Sequence, residues 1–135
     1  MTTDTTIRAT GSFHNTGWEE VPVAERDGRK LTRASITQEV HGDLEGAATW
    51  ITAMAYAADG TARYVGMLRF EGRLDERDGT FIVETDGRFD GAAAETTWAI
   101  VDGTGTGAFA DMTGTGRSHA PHGPDGTYEL TLSRG

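Results

Sequence analysis

The sequence lacks cysteine altogether and contains only three prolines among its 135 residues. Without cysteine there is no disulfide framework, no thiolate zinc site and no cysteine nucleophile. Few prolines beside 19 glycines argue against a proline-rich disordered chain and indicate many tight turns. A chain of 135 residues buries roughly two-thirds of its unfolded surface, so we expect residues 1–135 to form a single domain with its own core.

Basic side chains are also scarce, since 12 Lys and Arg stand against 21 Asp and Glu and give a net charge of −9. An acidic surface repels phosphate groups, so we expect neither nucleic acid nor an anionic membrane as a partner. No apolar run approaches the roughly 20 residues that span a bilayer. Residues 1–6 lack the basic and apolar segments of a signal peptide. These features predict a cytoplasmic protein.

The chain does contain a regular series of Asp-Gly pairs. Such pairs are typical of hairpin turns, because both residues tolerate the positive φ angles of a type I′ turn. Segments rich in Thr, Val, Ile and aromatic residues separate the pairs, as expected of strands. We predict eight strands, at about residues 6–14, 30–41, 47–57, 62–71, 80–87, 93–101, 112–119 and 127–133.

Side chains alternate along these segments between a face with almost no charge and a face that carries nearly all of it. In the second segment, Ala34, Ile36 and Val40 share one face, whereas Arg33 and Glu39 share the other. This period of two indicates half-buried antiparallel strands and an all-β fold. Eight such strands suit a closed antiparallel β-barrel, which leaves no exposed edge, and a two-sheet sandwich is the alternative.

The third segment is apolar on both faces. Trp50, Met54 and Tyr56 lie on one face, and Ile51, Ala53, Ala55 and Ala57 lie on the other. Such a strand is usually covered on both sides, here by a second subunit or by a terminal segment. We predict a homo-oligomer whose contact includes Ile51, Ala53 and Ala55, together with Val65 and Met67. A helix over residues 47–58 is the alternative for this segment, because alanine favours helices.

Three motifs that carry chemistry in other proteins have simpler interpretations here. Residues 103–107 lack a third glycine at the spacing of a dinucleotide fingerprint and the helix that follows it. We therefore interpret them as part of a glycine-rich strand with a bulge or a close backbone approach, whose glycines also leave space in the interior. His119 and His122 supply too few ligands for zinc. Glu19 and Glu20 fall in a predicted turn, where carboxylates are usually solvated. We therefore expect no metal and no cofactor.

The uncharged face also carries a set of polar side chains. They are Gln38, Thr52, Tyr56, Tyr64, Thr85, Thr96, Ser118 and Tyr128, and none is a carboxylate or a histidine. A buried hydroxyl or amide without a partner costs about 1–3 kcal/mol, so these groups bond to one another, hold water or orient a bound molecule. In the last case the partner is an apolar small molecule, and the ligand-binding residues are Gln38, Trp50, Tyr56, Tyr64, Phe70, Thr85, Thr96 and Trp98.

Several short strings follow one another along nearly the whole chain. They are Gly17-Trp18-Glu19-Glu20, KLTRA at 30–34, GDLEG at 42–46, Tyr64-Val65-Gly66, GTFIV at 79–83 and TTW at 96–98, with the glycine-rich residues 103–116 after them. In this order and spacing, the chain resembles the bacterial domain-of-unknown-function family 3224, an allene oxide cyclase-like small β-barrel. The resemblance implies a closed eight-stranded barrel and no established activity. Related barrels act without a cofactor as cyclases on polyketide- or fatty-acid-like substrates.

One departure from the family bears on function. Where the family pattern has Glu and His, this chain has Leu68 and Thr85, so the resemblance carries no acid–base pair over to it. Three functions follow from the barrel. Its interior binds an apolar small molecule, or acts as a cofactor-independent cyclase or isomerase that holds its substrate in a reactive shape, or is filled, so that the surface is the working part. We predict the first and leave open whether the chain is an enzyme.

Overall fold

The computed structural model describes residues 5–121 and 125–134, and its regular elements are all strands. None of the described residues belongs to a helix that is long and apolar enough to cross a membrane. The strands are β1 (Thr5–Arg26), β2 (Arg29–Gly42), β3 (Leu44–Tyr56), β4 (Ala62–Leu74), β5 (Arg77–Phe89), β6 (Ala93–Ile100), β7 (Thr106–Gly107), β8 (Met112–Pro121) and β9 (Asp125–Arg134).

Eight of these strands form a closed antiparallel ring. The strands follow the order β4-β3-β2-β1-β9-β8-β6-β5, and pairing between β4 and β5 closes the ring. The two-residue β7 pairs with Gly79 and Thr80, near the start of β5. The closed eight-stranded barrel predicted from the sequence is therefore confirmed. The sandwich alternative is wrong, and so is the helix over residues 47–58, because β3 runs through Leu44–Tyr56.

The hairpin turns lie only partly where the Asp-Gly pairs predict them. Asp27 and Gly28, with φ angles of 53° and 81°, join β1 to β2 as expected. The turn from β4 to β5 uses Asp75 and Glu76, at 50° and 69°, instead of the following Asp-Gly pair. The pairs at 78–79, 86–87 and 125–126 lie inside strands. In those pairs glycine has a packing role, because a side chain there would collide with a neighbour.

Strand β1 continues twelve residues beyond the predicted end at residue 14. In its second half, the inward-facing and outward-facing positions are exchanged. Bulges between Asn15 and Gly17 and between Pro22 and Ala24 shift its register against β2. After the first bulge, Trp18 pairs with Ile36 and Glu20 pairs with a buried alanine, so both side chains are placed on the inner face. Among the described residues, β9 pairs with β1 only up to residue 14, and the rest of β1 pairs with β2 alone.

Apolar side chains fill one end of the barrel. Phe109, from the segment between β7 and β8, is fully buried and contacts Phe81 and Phe70 with ring centroids 4.8 Å and 5.9 Å apart. The expected interior space beside the glycine-rich region is therefore absent at this end. The close backbone approach predicted for this region is present at Gly105, since a Cβ there would lie 2.0 Å from the carbonyl oxygen of Phe109. We call this part of the barrel the closed end.

The outer face of β3 and β4 exposes apolar side chains. Ile51 pairs with Met67 and Ala53 pairs with Val65 across these strands. About half of the surface of Ile51, Val65 and Met67 is exposed, at 55%, 56% and 49%. The predicted homo-oligomer contact therefore lies on an accessible surface, and the oligomer itself stays a prediction.

Candidate functional site

The end of the barrel opposite Phe109 contains a cavity of about 280 Å³. Seven of the eight barrel strands contribute side chains to its wall. The lining residues are Phe13, Asn15 and Trp18 from β1, Gln38 from β2, Trp50, Met54 and Tyr56 from β3, Ala62, Tyr64 and Leu68 from β4, Phe89 from β5, Ala94, Thr96 and Trp98 from β6, and Ser118, Ala120 and Pro121 from β8. Several of these residues are the last or first of their strands. The cavity is therefore open at this end, and we call its edge the rim.

Aromatic rings form much of the cavity wall, and neighbouring groups fix their positions. Trp50 and Tyr64 meet edge to face with centroids 5.5 Å apart, and the indole Nε1 of Trp50 donates a hydrogen bond to Thr85 Oγ1 at 2.9 Å. Trp98 is stacked on Tyr128, with an angle of 12° between the rings. Because neighbouring side chains hold these rings in place, the apolar wall is preformed.

Most of the polar groups in the wall already have partners. The hydroxyls of Tyr64 and Thr96 lie 2.7 Å apart, and Gln38 Nε2 donates to Asn15 Oδ1 at 2.9 Å. Burial raises the pKa of Tyr64, more than its bond to Thr96 lowers it, so this phenol is uncharged at neutral pH. Ser118 is buried and makes no side-chain hydrogen bond within residues 5–121 and 125–134. Its hydroxyl is available to a bound molecule.

The carboxylate of Glu20, at the rim, accepts hydrogen bonds from residues of three strands. Glu20 Oε2 accepts hydrogen bonds from Thr32 Oγ1 at 2.6 Å and from Tyr56 OH at 2.7 Å. Glu20 Oε1 accepts one from Trp18 Nε1 at 3.0 Å. The Nζ atom of Lys30 lies 4.7 Å from the centroid of the Tyr56 ring. Two cavity-lining side chains, Trp18 and Tyr56, thus direct their polar atoms to one carboxylate.

This arrangement keeps Glu20 ionised and Tyr56 protonated. Burial acts to raise the pKa of Glu20, whereas the three hydrogen bonds and the charge of Lys30 lower it. The second effect is larger, so the pKa of Glu20 lies below its usual value. Burial, followed by the hydrogen bond to Glu20 and its negative charge, raises the pKa of Tyr56 to about 12. At neutral pH the rim therefore holds a negative charge beside a neutral phenol.

The structure brings six of the eight predicted ligand-binding residues to the cavity, namely Gln38, Trp50, Tyr56, Tyr64, Thr96 and Trp98. The other two lie outside its wall. Phe70 packs against Phe81 and Phe109 at the closed end. Thr85 accepts the hydrogen bond that holds Trp50. The ligand-binding role of all eight residues stays a prediction.

Internal pairing accounts for most of the inward polar side chains that the sequence identified. Thr52 donates to the carbonyl of Val65 at 3.0 Å, and Tyr128 OH accepts from the backbone N–H of Leu44 at 3.1 Å. Tyr56, Tyr64, Thr85, Thr96 and Gln38 bond to side chains, as described above. The polar groups therefore belong largely to the barrel itself.

The alternation pattern missed Asn15, Trp18 and Glu20. Glu19 is exposed as expected, but Glu20 faces inward and is only partly exposed, so the prediction of two solvated turn carboxylates is wrong for Glu20. The bulge at Asn15–Gly17 reverses the faces, and Gly17 and Pro22 suggest a loop where β1 in fact continues. The sequence signal for these residues was Trp18, because a tryptophan in a predicted loop commonly packs against other side chains.

Metal ligands do not converge among the residues that the structure describes. No group of three or more His, Asp or Glu side chains that could hold a metal occurs in the described parts of the chain. His119 is on the outer face and bonds to Glu95. His122, the other histidine considered from the sequence, lies outside the described residues.

Comparison with known proteins agrees with the barrel fold. A solved structure described as a protein with unknown function from the DUF3224 family of Shewanella oneidensis MR-1 superposes with a TM-score of 0.73. It is 22% identical, and the match covers 95% of this chain and 97% of that chain. No curated protein matches this chain. The model of the family described as "Protein of unknown function (DUF3224)" matches residues 9–132, and the chain therefore belongs to that family.

Proposed function

We propose that this protein binds an apolar small molecule in the open end of its barrel. The observation that supports this proposal is the preformed cavity of about 280 Å³, whose wall includes Trp50, Tyr64 and Trp98. Small-molecule sites are typically concave and apolar, with a few polar groups that fix orientation. Ser118 and the carbonyl oxygen of the Gln38 side chain are suited to this second role.

The two ends of the barrel differ in a way that supports binding over a filled scaffold. At the closed end, Phe109 enters the barrel and packs against both Phe70 and Phe81. No corresponding side chain among the described residues fills the other end. Protein interiors are normally packed to high density, so space left at one end alone suits a bound molecule.

Ring closure or isomerisation in the same cavity has less support. The lining residues include no carboxylate and no imidazole, so proton transfer has no donor and acceptor pair within the wall. The hydroxyls of Tyr64 and Thr96 are paired with each other. We therefore propose binding as the function.

A matched pair of substitutions on β6 tests the proposal. Ala94 lines the cavity, whereas Ala99 on the same strand is exposed on the outer face. We expect the neutral probe 2-(1-naphthyl)ethanol to bind saturably in isothermal titration calorimetry and to shift the indole N–H signals of Trp50 and Trp98 in NMR spectra. Ala94→Phe should weaken binding by about tenfold or more, the equivalent of roughly 1.4 kcal/mol, and Ala99→Phe should leave it unchanged.

Two outcomes would contradict the proposal. One is that neither this probe nor other neutral apolar molecules of similar size bind saturably to the folded protein. The other is that Ala94→Phe and Ala99→Phe have the same effect, which would place the binding site outside the barrel.

A further inference from the structure

The cavity wall contains no charged side chain. All of the residues that line it are apolar, aromatic, amide, hydroxyl or thioether residues. A ligand carboxylate buried there would have no basic partner, and burying an unpaired charge is strongly unfavourable. The part of a ligand that enters the barrel is therefore uncharged.

The rim, in contrast, presents a negative charge at a fixed place. Glu20 bonds to two lining residues, Trp18 and Tyr56, so its carboxylate lies where one end of a bound molecule would emerge. Within residues 5–121 and 125–134, Glu20 forms no ion pair at 4.0 Å or less. Its charge is stabilised by hydrogen bonds from neutral groups and by the charge of Lys30, which lowers its pKa without forming an ion pair with it.

The hydrogen bonds also leave room on the carboxylate. A carboxylate has about four acceptor positions. Oε2 of Glu20 receives bonds from Thr32 and Tyr56, whereas Oε1 receives one, from Trp18. One acceptor position on Oε1 thus remains for a further donor. The rings of Trp18 and Tyr56 beside it attract cations, and Lys30 already lies over the Tyr56 ring.

We propose that the cavity selects apolar amines, with the hydrocarbon part between Trp50 and Trp98 and the ammonium group on Glu20 Oε1. This inference rests on the proposed binding function and adds the chemical class of the ligand. The overall net charge of −9 supports it, because an acidic protein attracts cations over a distance. Ligands that end in a carboxylate, including fatty acids, are disfavoured, since Glu20 repels them and the wall offers them no cation.

Three probes of similar shape test this selectivity. They are 2-(1-naphthyl)ethylamine, 2-(1-naphthyl)ethanol and 1-naphthylacetate, which are positive, neutral and negative at neutral pH. We expect the amine to bind about tenfold more tightly than the alcohol in calorimetry, because a charge-assisted hydrogen bond is stronger than a neutral one. The naphthylacetate should bind more weakly than the alcohol.

Glu20→Gln should remove most of this preference by weakening the amine about tenfold, while the alcohol keeps its affinity. Glu19→Gln is the matched control, because it removes the same charge from the neighbouring exposed position. If Glu20→Gln weakens both probes, thermal unfolding shows whether the fold has changed, and Tyr56→Phe then serves as the second variant. Tyr56→Phe keeps the charge of Glu20 but removes a hydrogen bond that positions its carboxylate, so it should weaken binding of the amine more than binding of the alcohol.

The outcomes separate this inference from the function on which it rests. Equal affinities for amine and alcohol, with both weakened by Ala94→Phe, would overturn the amine selectivity and retain the binding site. An amine preference that is equally reduced by Glu19→Gln and Glu20→Gln would also overturn it, since a general charge effect would then be the cause. Failure of all three probes to bind would overturn both proposals.

Discussion

The ring of Tyr64 occupies the space that a side chain at Gly87 would need. These residues pair across β4 and β5, and a Cβ on Gly87 would lie 2.3 Å from Cε2 of Tyr64. The ring cannot move aside cheaply, because Trp50 packs against it and Thr96 bonds to its hydroxyl. The glycine of an apparent turn pair therefore sets the position of a cavity wall.

We expect Gly87→Ala to lower the free energy of unfolding by about 1–3 kcal/mol, the usual cost of overpacking a core. Urea unfolding followed by tryptophan fluorescence measures this change. Introduction of the same substitution into a Tyr64→Ala background should relieve much of the penalty. An undiminished penalty in that background would show that the contact with Tyr64 is not its cause.

The hydroxyl pair of Tyr64 and Thr96 should be coupled energetically. Thr96→Val removes the partner of a buried phenol and is expected to cost about 1–3 kcal/mol of stability. In the double variant with Tyr64→Phe, neither hydroxyl remains, and part of that stability should return. A double-mutant cycle from urea unfolding tests this, and strictly additive effects would argue against the bond.

Phe109→Ala should destabilise the barrel without closing or opening the ligand cavity. Loss of a buried phenylalanine costs about 3–5 kcal/mol, and Phe109 packs only against the closed end. The free energy of unfolding should fall by this amount, while the affinity for 2-(1-naphthyl)ethanol stays within about twofold in conditions where the variant is folded. A large loss of affinity in the folded variant would show that the two ends are coupled.

Glu20 should make the stability of the protein depend on pH in the acidic range. Its pKa in the folded state lies below the reference value of 4.5, so its ionised form stabilises the fold. That contribution is complete above the unfolded-state pKa and is lost as the pH falls through the lowered folded-state pKa. The groups that face the carboxylate are Thr32, Tyr56, Trp18 and Lys30.

The difference in unfolding free energy between the wild type and Glu20→Gln measures this contribution. We expect the difference to be constant from pH 6 to 8 and to shrink below about pH 4.5. The Glu19→Gln variant serves as the reference for general charge effects. A difference that grows toward acidic pH would have the wrong sign for a carboxylate whose pKa is lowered by folding.

The exposed apolar surface formed by Ile51, Ala53, Val65 and Met67 leads to a prediction about assembly. We expect light scattering at micromolar concentration to give a mass greater than the 14.4 kDa of one chain. Ile51→Lys should shift the mass toward the monomer, whereas Thr97→Lys, on an exposed part of β6, should not. A monomeric wild-type protein would contradict the predicted homo-oligomer.

Alternation of side chains was sufficient to predict most of the barrel. Ala34, Ile36 and Val40 are buried as the period of two predicts, and Tyr64 faces Thr96 inside the barrel. This works because a strand has only two faces, and a one-residue error would place charges in the core. Of the eight ligand-binding residues predicted from the same alternation, six line one cavity in the structure.

The features that the sequence did not reveal have a common physical origin. A bulge inserts one residue and exchanges the two faces, so Glu20 and Trp18 face inward although the period counted from Phe13 places them outside. Phe109 belongs to a non-repetitive segment, where no period exists to indicate its burial. Local pattern therefore describes the strands well and gives no information on irregular segments that end or enter the barrel.

The second half of β1 carries Trp18 and Glu20. Within the described chain, its backbone pairs with β2 alone. Outward movement of this segment would break its ladder with β2, because β2 is itself held in the ring by its pairing with β3. It would also break the hydrogen bond between Glu20 and Tyr56, so backbone and side-chain contacts together hold this part of the wall. The cavity of about 280 Å³ therefore has a fixed wall on this side, and a guest larger than this volume must extend past the rim.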